Sequence, residues 1–220
     1  MNGIIIIDKP AGMTSFDIVQ TIRRRFKIKR VGHCGTLDPL ATGLLIMLLG
    51  KDTKLFSKFS TFDKVYKATL ELGLTTSTGD CEGKVLRRCG VDNISISEIE
   101  KVFKEFMGEI TQVPPMFSAL KYRGKKLYEL ARLGIEVPRK KRQVNIYDLK
   151  ICDFHSPYVD FYVHCSKGTY IRTLAHDIGA QLGCGACIVK IRRTLLGPFN
   201  IKDAITIDRL DESHIRNWPS

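Results

Sequence analysis

Two runs that follow one another closely, VNIYDLKICD at residues 144–153 and YVDFYVHCS at 158–166, decide the class of fold to expect. Both are short and rich in β-branched and aromatic residues, the signature of strands. They arrive as a neighbouring pair, and the stretch around Arg172 to Leu182 behind them reads as a helix. Further out, Ala186 to Thr194 is another strand, and Val65 to Leu72 alternates like a half-buried one. Lys84 to Arg88 can pair with that strand across Gly79 to Gly83. Ser97 and Glu100 form a capping box before Ile99, Val102, Phe103 and Phe106, which predicts an amphipathic helix ending at Gly108. At the start, Ile4 to Ile7 reads as a buried strand. After the turn at Pro10 to Gly12, Thr14 or Ser15 caps a helix with Val19, Ile22 and Phe26 on one face and Arg23, Arg24, Lys27 and Arg30 on the other. A glycine-rich loop over Gly32 to Gly43 leads into a strand at Leu44 to Leu49, and the tail is expected to hold a last strand and a short helix at Ile207 to Glu212. Strands come in adjacent pairs with helices between the pairs, without strict βαβα alternation. That order predicts an α+β fold with a mixed, mostly antiparallel central sheet flanked by helices and loops.

The chain has 220 residues, 44% hydrophobic and 26% charged, enough to bury a core of its own. This composition excludes a disordered chain, a collagen-like repeat and a heptad rod. The apolar run at Ile4 to Ile7 is cut off by Asp8, Lys9 and Pro10, and Leu44 to Leu49 falls well short of the roughly 20 residues that span a bilayer. The expectation is a soluble cytoplasmic protein. Seven scattered cysteines are expected to be reduced. Cys184 and Cys187 form one C-x-x-C without a second pair, open to packing, metal or redox use.

The net charge of +12 calls for an anionic partner. It is concentrated in a segment that opens at Pro114-Pro115, contains FSALKYRGKKLYELARLGIEV, is nearly closed by Pro138 and runs on to Arg142. From Lys121 to Arg142 there are nine Lys or Arg against two Glu, a surplus of seven. Tyr122 and Tyr128 are interleaved with these charges. Such a stretch is either a solvated surface or an arm that grips a phosphate backbone.

Two segments hold the chemistry. In GHCGTLDPLATG (32–43), glycines at 32, 35 and 43 imply tight turns, and Pro39 holds Asp38 extended. An acid on a stiff loop suits a nucleophile or general base; Asp before Pro is also a common turn, and His33 can be a satisfied loop histidine. In SKGTYIRT (166–173), Tyr170 and Arg172 project the same way if the stretch is extended. An Arg beside a buried carboxylate keeps it ionised; a packed Tyr and an exposed Arg fit the same letters. Tyr66, in KVYKA (64–68), reads equally as a strand aromatic.

Taken together, DKPAGMTS (8–15), GHCGTLDPLATG, KVYKA, the arm SALKYRGKKLYELARLGIEVPR and HCSKGTYIRTLAHDIG occur in an order that closely resembles the bacterial tRNA pseudouridine synthases of the TruB family. The resemblance runs from about residue 2 to about residue 200. It implies a pseudouridine synthase fold with a thumb-like insertion at about 113–143, and conversion of a T-loop uridine of tRNA to pseudouridine after base flipping. It implies no cofactor, no metal, no membrane and no protein partner, with the enzyme a monomer on the T-arm of tRNA. Asp38 matches the family's essential aspartate and Arg172 the arginine that pairs with it. Tyr170 matches a tyrosine at the target nucleotide, Tyr66 the tyrosine that stacks on the displaced uracil, and His33 a histidine that holds the opened loop. Lys9 and Pro10 match a motif supporting the active-site loop. Ile191 stands where the family has Leu against the substrate pocket. Family members continue into a small PUA-like domain, so residues 1–220 are expected to be the catalytic domain with that companion absent.

Overall fold

The computed structural model describes residues 1–218; the last two positions of the expected catalytic domain lie outside the described residues. The chain runs through β1 (Gly3–Lys9), α1 (Ser15–Phe26), β2 (Val31–Cys34), β3 (Thr42–Leu49), α2 (Phe56–Ser60), β4 (Lys64–Leu72), β5 (Leu74–Thr76), β6 (Val85–Arg88) and α3 (Ile96–Glu105). It continues through β7 (Gly108–Gln112), β8 (Lys121–Tyr122), β9 (Lys125–Lys126), α4 (Leu127–Arg132), β10 (Arg142–His155), β11 (Tyr158–Cys165), α5 (Ile171–Gln181), β12 (Ala186–Leu196), β13 (Phe199–Asn200) and β14 (Ile205–Thr206). The expected α+β fold with a mixed sheet is what forms. The chain divides into two compact units, Met1–Lys67 with the chain from Lys190 onward, and Ala68–Val189.

In the first unit the strand order is β14-β1-β3-β12, with β2 also on β3 and β13 on β12. β1 and β2 are antiparallel to β3, whereas β12 meets β3 in parallel at Arg192↔Thr42. Ile4 and Ile6 point into a cluster with Leu44, Ile46, Leu48, Phe59 and Phe199. Ile5 and Ile7 point the opposite way and are equally buried, so the run is apolar at every position rather than alternating. Each such side chain contributes roughly 1.5–3 kcal/mol. α1 begins at Thr14, whose hydroxyl accepts from the Asp17 amide at 3.1 Å, and it buries Ile18, Val19 and Ile22.

The second unit orders its strands β4-β11-β10-β7. β10 and β11, the two runs read first, pair antiparallel with two register shifts, and Phe103 of α3 meets Phe161 of β11 edge to face at 5.9 Å. The basic segment leaves the sheet after Gln112 and returns at Arg142, which are direct partners across β7 and β10.

Four local expectations need correction. The glycine-rich loop is shorter, because Val31–Cys34 already pairs with β3. The strand near Lys84 to Arg88 pairs with β5 and not with β4, because both edges of β4 are taken in the main sheet. The capping box of α3 is Ser95 with Glu98, not Ser97 with Glu100: Ser95 Oγ accepts from the Glu98 amide at 3.3 Å, and Glu98 Oε2 from the Ser95 amide at 2.8 Å. The sequence spells S-x-x-E twice, and the earlier copy lengthens the helix. Ile207 to Asp211 is not helical, and a three-residue 3-10 helix begins only at Glu212 and runs to His214. Arg25 Nη1 donates to the Ile207 and Leu210 carbonyls at 2.5 and 2.8 Å, holding that stretch as a turn.

Candidate active site

The loop between β2 and β3 carries Asp38, and its backbone is held on both sides. Ser15 Oγ accepts from the Leu37 amide at 2.9 Å and lies 3.1 Å from the Leu37 carbonyl, to which it donates. The Gly12 amide donates to the Pro39 carbonyl at 2.9 Å, and the Ala41 amide to that of Asp38 at 3.1 Å. Lys9, fully buried, aims its ammonium at the carbonyls of Pro10, Met13 and Pro39 at 2.8, 2.6 and 3.3 Å. From the β12 side, buried Arg193 donates through Nε to Leu44 O and through Nη2 to Gly35 O, both at 2.7 Å. A side chain at Gly43 would place its Cβ 2.3 Å from the Arg193 carbonyl, which is why only glycine fits there. A carboxylate so placed meets a substrate with little orientational entropy left to lose.

His33 sits on β2, half-buried, its Nδ1 enclosed without a hydrogen-bond partner. Burial pushes its pKa below the usual imidazole value, and the Arg193 cation adds to the effect, so the ring is neutral at pH 7. Ile191 is half-buried on β12, and its carbonyl accepts from Thr42 Oγ1 at 3.4 Å, where the loop enters β3. Tyr66 is buried on β4, and the neighbouring Val65 carbonyl accepts from Thr194 Oγ1 at 3.4 Å. The first unit thus holds His33, Asp38, Tyr66 and Ile191 on its strands and loop.

Tyr170 and Arg172 belong to the second unit, and their segment is not extended. Tyr170 is the residue before α5, and Arg172 lies in its first turn, buried. Arg172 Nη1 donates to Thr78 O at 2.5 Å and Nη2 to Phe117 O at 2.8 Å, while Nε lies 3.6 Å from Asp80 Oδ2. Both side chains of this ion pair are 7% exposed. Asp80 is further fixed by Thr78 Oγ1 at 2.6 Å and the Glu82 amide at 3.2 Å, both donating to Oδ1. Sequence reasoning missed Asp80, treating Gly79 to Gly83 only as a turn. The one available signal was an acid between glycines. A cavity of about 480 Å3 opens here, lined by Thr78, Phe117, Arg139, Arg172, Thr173 and His176 among others.

The arm folds as a small hairpin, β8–β9, followed by α4, anchored by buried Leu127 and Leu130. Tyr128 lies between Lys126 and Arg132, at 5.3 and 5.5 Å, and Arg123 covers Tyr122 at 5.4 Å. Lys121, Arg123, Lys125, Arg132, Lys140 and Lys141 remain exposed. Among the described residues, none of the seven cysteines is in a disulfide. Burial pushes Cys187 up to about 12 and Cys34 up to about 11, which makes both poor nucleophiles. Among the described residues, no cluster of metal-ligating side chains forms, and no helix is long and apolar enough to cross a membrane.

A family model described as TruB family pseudouridylate synthase (N-terminal domain) matches residues 23–171, and one for the tRNA pseudouridylate synthase B C-terminal domain matches residues 172–217. The chain is 49% identical over 213 residues to tRNA pseudouridine synthase B of Endomicrobium trichonymphae, covering 97% of this chain and 93% of that one. It is 47% identical over 218 residues to the protein of the same name from Clostridium tetani, covering 99% and 75%. Among solved structures it is similar to one described as a Cbf5-Nop10-Gar1 complex, with 32% identity, a TM-score of 0.73 and coverage of 94% of this chain. It spans 54% of that structure's chain.

Proposed function

The chain belongs to the TruB family of pseudouridylate synthases, and from that premise we propose that it isomerises a specific T-loop uridine of tRNA to pseudouridine with Asp38 as nucleophile. The observation that carries this reading is the loop of Asp38, whose backbone is locked by Lys9, Ser15 and Arg193. The chemistry needs no net oxidation. The N1–C1′ bond of the uridine breaks, a C5–C1′ bond forms, and the proton leaves C5 while N1 gains one. A carboxylate serves either by attacking C1′ covalently or by removing a sugar proton to give a glycal.

The target base is stacked inside a folded hairpin loop and must be flipped out first. His33, neutral through burial, suits contact with an unpaired base or sugar better than with phosphate. In this reading Tyr66 stacks on the uracil, Ile191 supplies an apolar wall, Tyr170 takes part in proton transfer, and Arg172 keeps the reacting carboxylate ionised. The exposed cations of the arm recognise the stem by shape and phosphate rather than by base.

Tritium release from a T-arm RNA carrying 5-labelled uridine tests the reading. Wild type releases label and Asp38→Asn does not. Equal release from both overturns the role of Asp38. Mapping pseudouridine in cellular tRNA and rRNA with and without the protein checks the target, and loss confined to rRNA overturns the tRNA assignment.

A further inference from the structure

We propose that Gln112 and Arg142, which face each other across the root of the basic arm, are positioning residues that tie the placement of the arm to Tyr170. The inference rests on the reading of Tyr170 as a group at the target nucleotide. Gln112 ends β7, Arg142 begins β10, and the two are direct partners in the antiparallel register. Every residue of the arm lies between them.

Each root residue holds Tyr170 in a different way. The fully buried side chain of Gln112 uses both halves of its amide on the Tyr170 backbone. Nε2 donates to Tyr170 O at 3.2 Å, and Oε1 accepts from Tyr170 N at 3.0 Å. Asn and Gln are the side chains that carry such a donor and acceptor side by side. Arg142 places its guanidinium over the Tyr170 ring, 5.4 Å from the centroid, and directs Nη1 at Gly168 O, 3.5 Å away. Gly168 has φ +80°, and a Cβ there would lie 3.2 Å from Arg142 Nη1, so a bare backbone leaves the guanidinium its place.

A third attachment runs from the arm's own chain. The Phe117 carbonyl accepts from Arg172 Nη2 at 2.8 Å. Residues 168–172 are therefore gripped at the backbone of 170, the ring of 170 and the guanidinium of 172, each time from the arm or its root. When the exposed cations of the arm engage a phosphate backbone, any shift of the root moves Tyr170 with it. Satisfying a buried helix start needs only the amide of Gln112; the guanidinium stacked on the ring is superfluous to that and points to placement of the ring.

The test replaces Gln112→Met and Arg142→Met, which keep the apolar stems, and Arg142→Lys, which keeps a cation over the ring. Product formation is measured in a single turnover at saturating T-arm RNA, alongside the RNA dissociation constant. Protein labelled with 3-fluorotyrosine reports on the Tyr170 ring, its resonance identified by loss in Tyr170→Phe. Each Met variant is expected to slow product formation by about tenfold or more while the dissociation constant stays within about threefold. Arg142→Lys recovers most of the rate. RNA shifts the Tyr170 resonance in the wild type, and this shift is lost in the Met variants. A loss carried entirely by the dissociation constant, or an RNA-induced shift that survives in both Met variants, overturns the proposal. A wild-type rate in Tyr170→Phe overturns the reading of Tyr170 as reactive, and the fluorine shift still decides whether the root positions its ring. Should Gln112→Met fail to fold, the half-buried Arg142 variants carry the test alone.

Discussion

Positive charge does opposite work in the two loops that matter most. Around Asp38 the cations are inside: Lys9 is 0% and Arg193 1% exposed, and both direct their donors at backbone carbonyls. On the arm, Lys121, Arg123, Lys125, Arg132, Lys140 and Lys141 stand in solvent. Burying a cation costs several kcal/mol before its hydrogen bonds offset it. A fold tolerates that cost where the cation fixes a backbone nothing else could fix. An exposed cation costs the fold almost nothing, and it holds its charge ready for an external anion. Internal cations set geometry here, and in the proposed reading external ones set affinity.

The hardest blow to this contrast comes from Arg193→Met. The change leaves the Gly35 and Leu44 carbonyls without their buried donor, at about 1–3 kcal/mol each. We expect a stability loss of about 2–4 kcal/mol in urea unfolding, together with a fall in product formation, since the Asp38 loop loses one of its two buried cations. A variant as stable and as active as wild type would mean that the buried cation is incidental.

Asp80→Asn comes next. It keeps the shape that the Thr78 hydroxyl and the Glu82 amide recognise but removes the charge opposite Arg172. Product formation should fall by about one to two orders of magnitude, with the RNA dissociation constant little changed. A loss confined to binding would place Asp80 among the affinity-setting charges and break the division.

These two residues also mark what could be read in advance. β1 and β3 were legible because an apolar run has few alternatives, and β10 and β11 because their β-branched and aromatic composition favours strands. The α3 start was misplaced because two S-x-x-E copies overlap and local chemistry cannot choose between them. Asp38 stood out through Asp-Pro in a glycine-rich loop, and the role proposed for it came with the resemblance to the family. Arg193 and Gln112 had no such signal, and Asp80 only its place between glycines. Arg193 bonds Gly35 across 158 positions, Arg172 reaches Thr78 across 94, and Gln112 meets Tyr170 across 58. Their functions arise from pairings that only the folded chain creates, whereas local patterning speaks for a few residues at a time.

Lys140→Ala with Lys141→Ala probes the external charges. Unfolding should change by no more than about 0.5 kcal/mol. RNA affinity should fall, and the plot of log affinity against log salt should become shallower by roughly 0.7–0.9 for each phosphate that is no longer neutralised. The rate at saturating RNA should stay unchanged. A drop in that rate would show that the arm's charges act on chemistry as well as on grip.

The smallest effect tests where the internal field reaches. His33 has a folded pKa below the ordinary 6.5, chiefly through burial and secondarily through Arg193. Below pH 6.5 the unfolded chain binds a proton that the folded one refuses, so stability in that range rises with pH. The stability that neutral His33 confers is complete above that value and is lost as pH falls through its depressed pKa. Measured against His33→Asn, wild type should therefore lose ground only on the acid side. His176, whose pKa is raised mainly by its hydrogen bond to Asp177, has the opposite sign, but it is common to both proteins and cancels. In an Arg193→Met background the acid-side loss should shrink without vanishing, because burial is the larger cause. Its complete disappearance would make the Arg193 charge, rather than the enclosure of the ring, what keeps His33 neutral, and would extend the reach of an internal cation from backbone geometry to the protonation of a site residue.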